Sequence, residues 1–189
     1  MVLGGSMSCQ DDAEAPWLAP TRQLISRTVR AGTPFLGICL GHQLATVALG
    51  GQVCTSDHFC LGAAEMHLTP EGKKDPLLSV YDGHRGIHFN NDVAVVLPED
   101  AVLLARDPTG QIEAVRFAER AWGVQFHPEC TPEIFDAWTI GHGEKEWQQR
   151  LPWSEAVTVA ETVRRDIDTV NAEEAFAARF QELIDPEKR

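Results

Sequence analysis

Two short stretches hold residue types that do chemistry together. Gly37-Ile38-Cys39-Leu40-Gly41 offers a thiol between two glycines, and Trp122-Gly-Val-Gln-Phe-His127-Pro-Glu129 offers an imidazole two residues before a carboxylate. A thiol becomes an effective nucleophile when a histidine takes its proton, and the histidine works best when a carboxylate fixes its tautomer. In an extended chain residues i and i+2 project the same way, so His127 and Glu129 stand side by side, with Pro128 stiffening the backbone between them. The chemistry these three residues predict is nucleophilic attack by a cysteine thiolate, with His127 as base and Glu129 as its orienter.

The elements around them must deliver Cys39 at a sharp turn. Pro34-Phe-Leu-Gly-Ile38 is a short apolar run of the kind that makes a buried strand, and Leu40 to Leu49 reads as a helix that stops at Gly50-Gly51. A strand, a turn carrying the nucleophile and a helix make a nucleophile elbow, with cysteine where hydrolases often carry serine. The turn brings backbones together, so side chains at positions 37 and 41 would clash. The helix N-terminus favours a thiolate, and the Leu40 N–H points at the oxyanion. The plainer reading of these residues is a buried cysteine in a core turn; strand, elbow and helix together favour the catalytic one. His-Pro-Glu alone fits a strand-end pair kept for stability, and it gains meaning from the cysteine elbow about ninety residues earlier.

Along the rest of the chain, residues 1–4 read as the tail of a strand, 6–16 as a polar loop, and Trp17 to Ala31 as a helix ended by Gly32. Short β-type runs recur at 62–69, 86–89, 93–97, 101–106, 111–117 and 121–126, separated by turn signals such as Asp107-Pro-Thr-Gly110. Helices are predicted at 132–140 and 154–170, the second with Ala156, Val159, Ala160, Val163, Ile167 and Val170 on one stripe. A capping box of Asn171 and Glu174 starts a last helix through Phe176, Phe180 and Leu183. This order reads as an α/β three-layer domain, with 1–140 as the core and 141–189 as a helical extension packed on the same domain.

Composition narrows the function. A net charge of −12 repels phosphate backbones and argues against nucleic acid as a partner. No apolar run is long enough to span a membrane, and the N-terminus does not read as a signal peptide. Five cysteines, odd in number and irregularly spaced, argue for a reducing, cytoplasmic setting. Cys54, His58, Cys60 and His67 fit no common zinc spacing, and nothing calls for a metal or an organic cofactor. His42 reads as structural, Cys9 and Cys130 as incidental, and Asp11 and Asp12 as solvated or helix-capping. Trp138, Trp147 and Trp153 read as packing for the C-terminal helices.

Pro34-Phe-Leu-Gly-Ile-Cys39-Leu-Gly-His-Gln43 and Gly123-Val-Gln-Phe-His127-Pro-Glu129 together resemble the paired signatures of class I (triad) glutamine amidotransferases. The nearest subgroup is the stand-alone proteins similar to the amidotransferase domain of GMP synthase. Val2–Ser8, Ala15–Leu18, Ala48–Val53 and Leu68–Gly72 extend the resemblance over residues 2 to 135. It implies a flavodoxin-like three-layer fold. It also implies a mechanism in which Cys39 attacks the glutamine side-chain amide, His127 hands the proton to leaving ammonia, and water releases glutamate. Gly5 is then the second oxyanion N–H beside Leu40, and Gln43 a substrate contact. Asn90-Asn-Asp92 stands in a loop where the family usually carries Ser-His-Gly-Asp or similar, so the usual contacts there do not carry over. Family members also have a strand–helix–strand unit before the Gly-Gly loop. Here roughly 30 to 40 residues of it are absent, the size of one βα unit: either Met1 is not the true start, or the sheet lacks its first strand–helix unit, in which case it exposes apolar surface for a partner to cover.

Three functions follow from this resemblance. One is a glutaminase-type hydrolase that passes ammonia to a separate synthetase subunit, since 189 residues leave no room for a synthetase domain. The second is a γ-glutamyl peptidase or hydrolase using the same triad. The third is a truncated, inactive or binding protein.

Overall fold

The structure, a computed structural model, describes residues 1–139, 152–166 and 172–185. Helix α1 (Leu18–Arg30) buries Leu18, Ile25 and Val29 along one stripe, and Gly32, at φ +68°, turns the chain out of it. Strand β1 (Phe35–Ile38) is buried at every residue. Helix α2 (Leu40–Ala48) follows directly and ends at Gly50, φ +101°. The middle of the chain supplies β2 (Gln52–Glu65), β3 (His67–Leu68), β4 (Arg85–Val96), β5 (Val102–Arg106), β6 (Ile112–Ala118) and β7 (Ala121–Val124). Helices α3 (Pro132–Thr139), α4 (Trp153–Asp166) and α5 (Glu173–Ile184) close the described chain.

The main sheet has the order β1-β7-β6-β5-β3. Its β1–β7 pair is parallel and the others antiparallel. Val2 adds a single parallel bridge to Gly37 on the free side of β1. Alternate residues of the sheet enter different cores, as pleating requires. Leu36, Ile38, Trp122 and Val124 pack with Tyr81 and with Phe176 and Phe180 of α5. Phe35, Val115, Phe117 and Ala121 pack with Leu18, Ile25, Leu40 and Leu44 of α1 and α2. A sheet covered on both faces by these two cores gives the expected three-layer α/β arrangement. Strands β2 and β4 form a separate antiparallel ribbon. A third apolar cluster of Ile87, Cys130, Phe135, Ala160 and Val163 ties that ribbon to α3 and α4.

The β-rich middle differs from the sequence expectation in two places. The run 62–69 divides at Met66: β2 extends back to Gln52 and pairs with β4, whereas β3 pairs with β5 in the main sheet. The runs 86–89 and 93–97 are one strand, β4, which passes straight through Asn90-Asn91-Asp92, residues the sequence puts in a loop. Polar residues there break the apolar pattern without breaking the strand, because the ladder to β2 satisfies the backbone and Asn90 and Asp92 turn into an enclosed polar site. The capping box expected at α5 rests on Asn171, which lies outside the described residues; the helix follows Ala172, which makes no side-chain cap. Ile167, Val170, Trp147 and the stretch 141–151 also lie outside them. No described helix is long and apolar enough to cross a membrane.

Candidate active site

Cys39 is the one non-glycine residue at positive φ among the described residues, with φ 49° and ψ −107°. That conformation is strained for an L residue and persists only where its surroundings enforce it. Here they do. The Cys39 N–H donates to the Val124 carbonyl at 2.8 Å, and its carbonyl accepts from Gln43 N at 3.0 Å to start α2. A Cβ on Gly37 would lie 2.5 Å from the Gly41 carbonyl oxygen, and one on Gly41 would lie 2.1 Å from the Val2 carbonyl oxygen. Both glycines are therefore required by contact, as the elbow predicts. Leu40 N is among the first N–H groups of α2, which have no intrahelical acceptor.

His127 sits just beyond β7. Its N–H donates to the Ile87 carbonyl at 2.8 Å, which ties it to β4, and its Nδ1 donates to Glu129 Oε1 at 2.8 Å. Nε2 is buried and has no hydrogen bond of ordinary geometry among the described residues, yet the Cys39 thiol is close enough to stabilise the charged ring. Burial alone would lower the His127 pKa. Cys39 and Glu129 outweigh it and raise the value from 6.5 to about 9. The ring therefore carries its proton at neutral pH and presents an imidazolium to the sulfur. Gly4 packs between the two side chains: a Cβ there would lie 3.0 Å from His127 Cε1 and 3.5 Å from Cys39 Cβ. The three residues singled out by spacing thus meet at one point.

Cys39 opens into a cavity of about 300 Å³. Gly5, Ser6 and Met7 line it, and so does Gln43 together with Cys39. Gln43 Nε2 donates to the Asp92 carbonyl at 2.8 Å and to Gln125 Oε1 at 3.2 Å. With both amide hydrogens engaged, only its carbonyl oxygen is left to meet a substrate. Asp92 Oδ1 accepts from the Thr55 hydroxyl at 2.9 Å. Asn90 Nδ2 donates to the Asp92 carbonyl at 3.2 Å, which leaves Asn90 Oδ1 buried without a partner among the described residues.

Sequence reasoning missed the far wall of this cavity. Trp138 does pack with α3 and α4, but it also lines the cavity, with its ring 4.6 Å from that of His127. Phe89 and Phe59 continue the same wall. Asp11 lines the cavity as well and accepts from Ser8 N at 2.8 Å, whereas Asp12 pairs with Arg22 at 2.6 Å. A further pair, His88 and Glu113, is buried where β4 meets β6, 2.7 Å apart. Burial would lower the His88 pKa, and the Glu113 carboxylate more than reverses that. The sequence signal for this wall is the polar interruption at 90–92, which marks a strand facing something other than core.

The residues set aside behave differently. His42 is fully buried, with its ring 5.8 Å from that of Phe117, and a Cβ on Gly123 would lie 2.4 Å from its Nδ1. Burial lowers its pKa to about 4, so it is neutral at ordinary pH and does not line the cavity. Among the described residues no three His, Cys, Asp or Glu side chains are placed to hold a metal.

Comparison with known proteins points to one family. The family description "Glutamine amidotransferase class-I" matches residues 1–141. The glutamine amidotransferase-like protein YfeJ of Salmonella typhimurium is 31% identical over 150 residues, covering 77% of this chain and 62% of its own. A subunit of the glutamine-hydrolyzing GMP synthase of Methanothermobacter thermautotrophicus is 34% identical over 134 residues, covering 68% of this chain and 64% of its own. The chain thus spans a little under two thirds of these relatives. A glutamine amidotransferase from Thermotoga maritima shares the fold with a TM-score of 0.79 at 21% identity, over 97% of this chain and 77% of that one. One from Methylobacillus flagellatus has a TM-score of 0.78 at 25% identity, over 96% and 75%.

Proposed function

This chain belongs to the class I glutamine amidotransferases, and we propose that it hydrolyses the side-chain amide of glutamine through a thioester on Cys39. The observation that carries the reading is the strained elbow with the Glu129-anchored His127 ring beside its sulfur. Cys39 sits at φ 49° and His127, anchored by Glu129 at 2.8 Å, faces it. In this reading the thiolate adds to the carbonyl carbon. The oxyanion is held by the N–H groups of Leu40 and Gly5, and the C–N bond breaks as His127 protonates the departing ammonia. Water then attacks the thioester with His127 as base and releases glutamate. Gln43 Oε1 and the acceptors of Asn90 and Asp92 hold the α-ammonium end of the substrate. One relative is a subunit of a glutamine-hydrolyzing GMP synthase, so we also propose that the ammonia passes to a separate synthetase subunit.

The test is release of ammonia and glutamate from glutamine by the wild-type chain and by Cys39→Ala. Release by the wild type alone supports the reading. Equal release by both, or none by either in folded protein, contradicts it.

A further inference from the structure

We infer that the buried pair of His88 and Glu113 is a positioning device for the general base, fixing β4 against β6 where the chain that carries His127 passes from one strand to the other. The inference rests on the thioester reading above and adds to it two residues that serve His127 without touching substrate.

The backbone defines the place. Beyond β7, the Gln125 N–H donates to the Glu113 carbonyl of β6 at 2.8 Å. Two residues later the His127 N–H donates to the Ile87 carbonyl of β4, also at 2.8 Å. The segment thus leaves a strand of the main sheet for a strand of the ribbon, and those two strands share no ladder. His88, the neighbour of Ile87, donates from Nε2 to Glu113 Oε2 at 2.7 Å. That side-chain bond closes a circuit through Glu113, Gln125, His127, Ile87 and His88. If β4 slides along β6, the Ile87 carbonyl moves and the His127 backbone moves with it. Glu129 travels on the same chain as His127, so it orients the ring and does not by itself fix the distance from the ring to Cys39.

Stability alone does not call for such a pair. His88 is 4% exposed and Glu113 1%, and His88 Nδ1 has no partner among the described residues. Two groups of this kind lose their water, and an apolar pair of similar size is often as stable or more so. A bonded pair supplies what an apolar pair does not, a set distance and direction. The α-ammonium end of the cavity has its own fastenings. Gln43 Nε2 donates to the Asp92 carbonyl, and Asp92 Oδ1 accepts from Thr55 within the ribbon. Loosening at His88 therefore reaches the base before it reaches the binding contacts, and kcat should suffer before KM.

The experiment measures glutamine hydrolysis and thermal melting for the full chain, the double variant His88→Leu with Glu113→Leu, and the double variant His88→Gln with Glu113→Gln. The leucine pair removes the bond without stranding a buried charge. The glutamine pair keeps a hydrogen bond and removes the charges. The leucine double should melt at or above the wild-type temperature, yet lose about 10–100-fold in kcat with KM changed by less than about threefold. The glutamine double should return kcat to within about fivefold of the wild type. An unchanged kcat in the folded leucine double overturns the inference and leaves the thioester reading standing. So does a loss that the glutamine double does not restore, or a KM rise as large as the kcat loss. Failure of both doubles to fold also overturns it, because the pair would then be structural. No hydrolysis by the wild type, with no labelling of Cys39 by a diazoketone analogue of glutamine, overturns both readings.

Discussion

The two walls of the cavity are built on different principles. The nucleophile wall is local: β1, the elbow and α2 are contiguous in sequence, and β7 lies beside them in the sheet. The aromatic wall is assembled from distant pieces, with Phe59 from β2, Phe89 from β4 and Trp138 from α3. The first wall is held by backbone bonds and by glycines that cannot be larger. The second is held by side chains that pack on one another. The first wall leaves no room for larger side chains, whereas the second can be resculpted without moving the backbone.

The largest effects should fall on the nucleophile wall. Cys39→Ala is expected to lower kcat/KM for glutamine by about 10³-fold or more with unchanged thermal stability, measured by ammonia release and by melting. Gly41→Ala should damage both activity and stability, because its Cβ would lie 2.1 Å from the Val2 carbonyl oxygen. A loss of about 1–3 kcal/mol by denaturant unfolding is expected for such overpacking. If it is tolerated, the claim that the elbow is fixed by contact fails.

Glu129→Gln should cost about 10²–10⁴-fold in kcat/KM, since it removes the carboxylate that orients His127 and helps charge it. It should also move the alkaline limb of the pH profile. In the wild type the His127 pKa is raised to about 9, so the ring holds its proton below that pH and loses it above, and kcat/KM falls as pH rises through 9. Without Glu129 the fall should begin at lower pH, and an unmoved limb would detach His127 from it. On the other wall, Asn90→Ala is expected to raise KM for glutamine by less than about tenfold with little change in kcat, because it removes a binding acceptor and no reacting group.

The smallest effect on activity and the clearest on stability belongs to His42. Its folded pKa is depressed to about 4 while the unfolded chain protonates near 6.5. Stability is therefore complete above 6.5 and is lost as pH falls toward 4, by about 3 kcal/mol for one such group. His42→Leu should flatten that part of the stability curve, as read by urea unfolding across the range.

The same division explains what can be read from sequence. Cys39, His127 and Glu129 announce themselves because each lies in a short stretch whose glycines, apolar run or i, i+2 spacing dictates the local path. Their meeting depends on one parallel strand pair, β1 with β7, that an α/β order makes natural. The aromatic wall depends on a register slip in β2 and on a polar break within β4. Asn90-Asn91-Asp92 reads as a loop because periodicity reports burial against core, and this strand borders a cavity instead. Trp138 reads as helix packing because its partners, His127 and Phe89, are contacts that no spacing predicts.

The central claim is that Cys39 is the nucleophile of a working site. It is tested most directly by treating the full chain with a diazoketone analogue of glutamine and mapping the adduct by mass spectrometry. The account predicts a single adduct on Cys39, blocked by excess glutamine and absent in Cys39→Ala. Cys54, which is exposed, and half-buried Cys60 should stay unmodified. An adduct on Cys54 or Cys60, or no adduct on folded protein, would contradict it.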